Sequence, residues 1–341
     1  MTVMIFSSLT RISDLETAGF ATMPVPRDHW EGSDYVIGEV TGTPSSLYQI
    51  ETPRGRMLHV MPGDHIVGAF GNRAATLEGA GCWSDIKNDK MHALTSAGLF
   101  GTFTSVSLMM PRPLSLKYVG HVVRGNRKIS MSDFAIQSKA SRFHTPTILL
   151  VGTSMSAGKT TTGRLIVHEL ASLGLSVVGA KLTGAGRYRD ILSFRDAGAS
   201  AIYDFVDAGM PSTVVKEDYF RSAIRPLLST ISRATPDFLV AEAGASPLEP
   251  YNGAAAIDEL GDNIRCTVLC ASDPYAVVGV QQAFGLKPDF VTGPATNTSA
   301  AIALVKKLSG VDGANSMDPD SLPAIRAMLR QTLGVDFSKA A

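Results

Sequence analysis

The sequence predicts an α/β chain in two parts. One is a C-terminal parallel sheet with helices on both faces; the other is an N-terminal β-rich barrel or sandwich. Three observations lead there. Short extended runs parted by Gly and Pro turns fill much of residues 35–123. From Thr147 onward, apolar runs of strand length alternate with helical stripes. Between the first such run and the first such stripe lies Gly152-Thr-Ser-Met-Ser-Ala-Gly158-Lys-Thr160, rich in small residues.

In the first half, Tyr35–Val40 reads as a strand. Leu47–Glu51 and Arg56–Val60 flank Thr52-Pro53-Arg54-Gly55, a hairpin signature. Pro62-Gly63-Asp64 is a further turn, and His65–Phe70 a further strand. Leu99–Met109 and Tyr118–Val123 continue the pattern, which suits a small barrel or sandwich. Gly71-Asn72-Arg73 and Glu78 follow a strand and are candidates to face a partner. A β-rich domain is therefore placed at 1–135. The polar, basic stretch before Pro146 supplies a linker at 136–146, and a second domain covers 147–341.

That second domain opens with the apolar strand Thr147–Val151. A helix over Thr160–Leu173 carries apolar Leu165, Ile166, Leu170 and Leu173 on one stripe, and Gly174 ends it. Strands follow at Ser176–Leu182, Asp237–Glu242, Cys266–Ala271 and Asp289–Thr292, with helices near Asp218–Ser232 and at Ser299–Leu308. Strands spaced by helices imply a parallel sheet covered on both faces. Ligands bind such sheets at the carboxyl ends of the strands.

Composition narrows the function classes. Lys plus Arg and Asp plus Glu both total 31, so no strong basic field is available to hold nucleic acid, and a small-molecule partner is favoured. Cys82, Cys266 and Cys270 are too few for a disulfide framework, and the last two lie in an apolar run that reads as a buried strand. His59, His65 and His92 have no metal-ligand spacing. No apolar run approaches the roughly 20 residues that span a bilayer. Val3–Phe6 is too short an apolar start for a signal peptide. The expectation is a soluble, cytoplasmic chain.

The glycine-rich segment is a phosphate-binding loop (P-loop) by context: strand, small residues, then Lys-Thr opening a helix. Gly152 and Gly158 let the backbone turn and come close to phosphate oxygens. Backbone N–H groups across Thr153, Ser156 and Ala157 and the helix N-terminus would then hold the anion. Lys159 would reach the β- and γ-phosphates, Thr160 would ligate Mg²⁺, and Thr161 would contact the α-phosphate. A lysine in a helix's first turn is unfavourable without an anion nearby. Glu242 closes an otherwise apolar strand, where a carboxylate needs a partner such as a metal or an edge open to solvent. Arg187 and Arg189 are candidates for a substrate carboxylate or phosphate. Tyr251 and Asn252, in the loop Glu249-Pro-Tyr-Asn-Gly253, are candidate substrate contacts. Asp273-Pro274 reads as a helix cap.

Five residues part Gly152 from Gly158, one more than the common spacing. In this the loop resembles that of dethiobiotin synthetase and its relatives, a branch that includes nitrogenase iron protein, MinD and cofactor-assembly NTPases. Gly179-Ala-Lys181-Leu-Thr-Gly184 is similar to that family's Gly-Tyr-Lys-Pro motif, with Leu182 in place of Pro. Ala241-Glu242-Ala-Gly-Ala245 is similar to its Val-Glu-Gly-Ala-Gly motif. The resemblance covers about 147–298. It implies that Lys181 binds phosphate and substrate, that Glu242 ligates Mg²⁺, and that Asp190, or else Asp196, serves the metal. Asn297 stands where this branch reads the base; alternatively, Thr296–Thr298 cap the next helix. A homodimer is also implied.

The leading expectation is an ATP- and Mg²⁺-dependent ligase-type enzyme that phosphorylates a small carboxylate or carbamate. Two alternatives stand beside it. One is a switch or cofactor-assembly NTPase. The other is a coenzyme-A-dependent N-acyltransferase whose P-loop holds pyrophosphate.

Overall fold

The computed structural model describes residues 3–42, 49–139 and 141–339. It comprises two compact units. The first is Met1–Gln137 with Gly184–Arg189 and Phe205–Ala223; the second is Ser138–Thr183, Asp190–Asp204 and Ile224–Ala341. Two short excursions from the second half of the chain thus belong to the first unit, where the sequence suggested a single boundary.

In the first unit five strands close into a ring. His65–Phe70 pairs with Tyr35–Val40, then come Leu114–Arg124, Lys90–Thr95 and Leu99–Val106, which returns to His65–Phe70. The last pairing is parallel and the other four are antiparallel. The barrel expectation is met, and closure removes the free edges of these strands. Its core contains Val36, Ile66 and Phe100, with Trp30 stacked on Phe70 at 4.8 Å between ring centres. The hairpin forms between Gln49–Glu51 and Met57–His59; its expected start at Leu47 and Tyr48 lies outside the described residues. Arg73 and Glu78 form an ion pair, and Arg73 Nη1 donates to Leu94 O at 2.6 Å, so this pair serves the barrel's own structure.

The second unit holds a six-stranded parallel sheet. Its strands are β1 (Thr147–Gly152), β2 (Val177–Thr183), β3 (Ala201–Asp204), β4 (Phe238–Ala243), β5 (Ile264–Cys270) and β6 (Phe290–Thr292), in the order β3-β2-β4-β1-β5-β6. Its helices are α1 (Lys159–Ser172), α2 (Tyr188–Asp196, whose first two residues fall in the other unit), α3 (Glu217–Arg233, which enters this unit at Ile224), α4 (Gly253–Leu260), α5 (Pro274–Phe284), α6 (Ser299–Ser309) and α7 (Leu322–Leu333). The central strands β1, β2 and β4 are buried on both faces, as a covered parallel sheet requires, while alternate residues of the edge strand β3, Ala201 and Tyr203, are half-buried. Phe194 of α2 fills the space over Gly163 of α1 and Gly179 of β2. A Cβ at either glycine would stand 2.4 Å or 2.6 Å from its ring.

Residues of the expected linker are hydrogen-bonded. Ser141 N donates to Ser229 Oγ at 2.9 Å and His144 N to Ser232 Oγ at 3.2 Å; Ala140 lies outside the described residues. Cys266 and Cys270 are buried in β5 with free thiols, and burial pushes both up to about 12. Among the described residues, no helix is long and apolar enough to cross a membrane.

Candidate functional site

The loop leaves β1 at Gly152, whose register partner on β5 is Cys270. Thr153 N donates to Cys270 O at 3.1 Å. Two residues then take left-handed conformations, Ser156 at φ 61° and Gly158 at φ 97°, and α1 begins at Lys159. Glycine is needed at 152 for space: a Cβ there would lie 2.4 Å from Lys159 Nζ and 2.6 Å from Ala245 O. Gly293 closes on the loop from the far side, where a Cβ would meet Ala157 O at 2.3 Å. Ala157 is buried, while Ser156 and Thr161 are exposed. A Gly152→Ala variant is therefore expected to fold with a displaced lysine and to lose ligand-induced stabilisation. Thermal melts with and without Mg·ATP check this.

Lys159 is 5% exposed, and its Nζ donates to Ser154 O at 2.8 Å and Ala245 O at 3.1 Å. Burial lowers its pKa, partly opposed by the Glu242 charge. Carbonyl dipoles alone satisfy the ammonium's geometry without neutralising its charge, which is the electrostatic setting of an anion site. The charged form binds phosphate, and in the folded chain that form is lost as pH rises through a value below the ordinary 10.5. Affinity for a phosphate ligand is expected to fall on the alkaline side before an ordinary lysine titrates. Lys159→Met, which has no titrating group there, removes that dependence; calorimetry across pH measures it.

Three strand ends bring charge together beside the loop. Lys181 on β2 has Glu242 on β4 and Asp204 on β3 as its register partners. Lys181, Glu242 and Asp204 are all buried. Lys181 Nζ donates to Asp190 Oδ2 at 2.6 Å. Burial works against the Lys181 charge, but Asp190, Glu242 and Asp204 outweigh it and hold its pKa above the usual lysine value. Thr160 Oγ1 donates to Glu242 Oε2 at 3.0 Å. A hydroxyl and a carboxylate oxygen thus converge at the helix start.

The remaining sequence candidates are more scattered. Asp190 stands in the first turn of α2 and takes the Lys181 ammonium, whereas Asp196 is exposed at the far end of that helix. Arg187 and Arg189 are exposed, and the Arg189 backbone N–H is bound by Glu51 at 2.9 Å. Tyr251 is fully buried, and Asn252 is the left-handed residue preceding α4, at φ 61°. Asn297 is exposed after the turn Pro294–Thr296. Thr298 caps α6 by accepting from Ala301 N at 3.2 Å, and Asp273 caps α5 through Tyr275 N at 2.9 Å. Asp204 is a residue of this charge cluster that the sequence pattern did not reveal. Its signal was present, an acid closing the apolar run Ala201-Ile-Tyr, but the strand is too short to stand out.

A phosphate ligand with Mg²⁺ fits these residues. Gly152 leaves a cradle that a Cβ would fill, Lys159 supplies the cation, and Thr160 with Glu242 supplies two oxygen donors of the kind Mg²⁺ takes alongside phosphate and water. Among the described residues there is no cluster of three or more His, Cys, Asp or Glu able to hold a metal. Mg²⁺ ordinarily keeps several waters beside substrate phosphates, and phosphate and water oxygens would complete the coordination here.

No protein-family model matches the sequence, and no curated protein matches it. Solved structures with some likeness include HypB from Helicobacter pylori in complex with nickel, at 16% identity and TM-score 0.36, covering 55% of this chain and 86% of that one. A ParA family ATPase from Chlorobium tepidum matches at 14% identity and TM-score 0.33, covering 57% and 96%. FlhF complexed with GTP/Mg²⁺ matches at 14% and 0.32, covering 54% and 70%. The dethiobiotin synthetase assignment gains no support from them. At these scores the phosphate-loop reading rests on this chain's own residues.

Proposed function

We propose that the chain is a Mg²⁺-dependent nucleoside-triphosphate enzyme that phosphorylates a small carboxylate or carbamate. The observation that carries this is the pair of buried lysines at adjoining strand and loop ends. Lys159 is held by neutral carbonyls, and Lys181 is held by carboxylates beside the Thr160–Glu242 oxygen pair. A loop that only anchors phosphate needs the first lysine. The second is suited to charge that develops on a phosphoryl group in transfer.

Thr160 and Glu242 would hold the metal, with Asp190 near them through Lys181. Bound Mg²⁺ supplies charge neutralisation on phosphate oxygens. Lys159 grips the β- and γ-phosphates, and Lys181 stabilises the transferred group. A substrate carboxylate oxygen forms the new P–O bond as the bond to the nucleoside diphosphate breaks. An amine then displaces inorganic phosphate from the acyl phosphate, losing its proton to solvent. Asn252 is the proposed contact for substrate, and Asn297 that for the base. Tyr251, which has no exposed surface, supports its loop from within.

The test is a product assay. The full chain, Mg·ATP and a panel of small carboxylic acids with amines are expected to give ADP and phosphate in step with one acid–amine pair. Hydrolysis that no acid stimulates but a protein partner does would favour a switch NTPase instead. Acylation of an amine from acyl-coenzyme A, without nucleotide turnover, would overturn the proposal.

A further inference from the structure

Helix α2 carries Asp190, yet the residue before the helix, Arg187, has no acceptor with which to cap it. The first N–H groups of a helix need partners. Here the partner is Glu51, 137 positions away in sequence. Its Oε2 accepts from Tyr188 N at 2.7 Å and from Ser8 Oγ at 2.5 Å, and its Oε1 accepts from Arg189 N at 2.9 Å. Glu51 is fully buried, at 0% exposure. A carboxylate so placed is tolerated because charge-assisted bonds and the positive end of the helix compensate it. Arg11 adds to this grip, its guanidinium lying over the Tyr188 ring at 4.6 Å and pairing with Asp207 at 2.9 Å.

The next residue in the chain is Asp190, whose carboxylate holds Lys181 at 2.6 Å. The other end of α2 is anchored separately by Phe194 over Gly163 and Gly179. Removing the Glu51 charge would free the first turn while Phe194 keeps the helix in place. We infer that Glu51 is a positioning residue for the phosphate site: by capping α2 it fixes Asp190, and through Asp190 it fixes the Lys181 ammonium. This rests on the functional reading above, in which Lys181 meets the γ-phosphoryl group.

Affinities of the full chain for Mg·ATP and Mg·ADP test it by calorimetry, at a temperature where every variant is folded. Glu51→Gln keeps the shape but sets an amide donor against a backbone N–H. It is expected to lower the preference for ATP over ADP about tenfold, the scale of one charge-assisted hydrogen bond. Tyr35→Phe is the control. It removes another buried hydrogen bond of the same unit, Tyr35 Oη to Leu9 O at 2.9 Å, and is expected to leave the preference unchanged. An unchanged preference in Glu51→Gln, or an equal loss in Tyr35→Phe, overturns the inference alone. If the wild type binds no nucleotide, or Lys159→Ala binds it equally well, the functional reading falls and takes this inference with it. Should Glu51→Gln fail to fold, Ser8→Ala, which deletes one bond to the same carboxylate, is expected to shift the preference in the same direction by less; no shift overturns the inference.

Discussion

Replacing Lys159 by alanine is expected to abolish stabilisation of the chain by Mg·ATP. A ligand at 100 times its dissociation constant stabilises a folded protein by about 2.7 kcal/mol. That whole increment is expected to vanish, because Lys159 is the one side-chain cation the loop itself supplies. The apo protein is not expected to lose stability in proportion. In the wild type the buried ammonium is bonded to two carbonyls, and burial already disfavours its charge. Alanine removes that charge and its desolvation penalty together, so the melting temperature without ligand is expected to change little. Differential scanning fluorimetry on the two proteins, with and without ligand, separates the two effects.

The second large effect is expected at Lys181. Lys181→Ala should lower kcat by about 10²–10³, the scale seen when one preorganised donor to a transition state is removed. KM for the nucleotide should move far less, since Lys159 and the loop backbone remain. Stability is affected as well: Asp190, Asp204 and Glu242 would lose the ammonium that they share. Breaking a buried pair by removing one partner costs about 3–5 kcal/mol. The double variant Lys181→Ala/Asp190→Asn is expected to recover part of that stability and none of the rate. A double-mutant cycle with steady-state kinetics and denaturant melts on each member checks both halves. Recovery of rate in the double variant would show that Lys181 serves only to neutralise Asp190.

Much of the parallel sheet was legible in the sequence because its strands are apolar on both faces and its first helix has a clear stripe. Thr147–Gly152, Val177–Thr183 and Phe238–Ala243 fall within a residue of the expected strands, and Ser299–Ser309 within a residue of the expected helix. The barrel was legible in outline only. Strands Arg73–Ala75 and Gly79–Cys82 went unread, since arginine, glycine and alanine in such short runs carry no alternation; Lys90–Thr95 alternates only over Lys90-Met-His-Ala before Leu94 breaks the pattern. In the site, the loop residues announced themselves by spacing. Glu242 stood out as a charge ending an apolar run, and Lys181 through the likeness of Gly179–Gly184 to a Gly-Tyr-Lys-Pro motif. Asp204 and Glu51 did not, for different reasons. Asp204 ends a strand of four residues. Glu51 acts across 137 positions, and no local pattern encodes a cap supplied by a distant hairpin.

The most direct test of the central claim is the melting temperature of the full wild-type chain titrated with ATP, GTP and coenzyme A, each with Mg²⁺ and with a chelator. If residues 152–160 bind a nucleoside triphosphate with Mg²⁺ held by Thr160 and Glu242, a triphosphate stabilises the chain, and the chelator removes most of that shift. No shift from any nucleoside triphosphate, or an ATP shift indifferent to Mg²⁺, would contradict it.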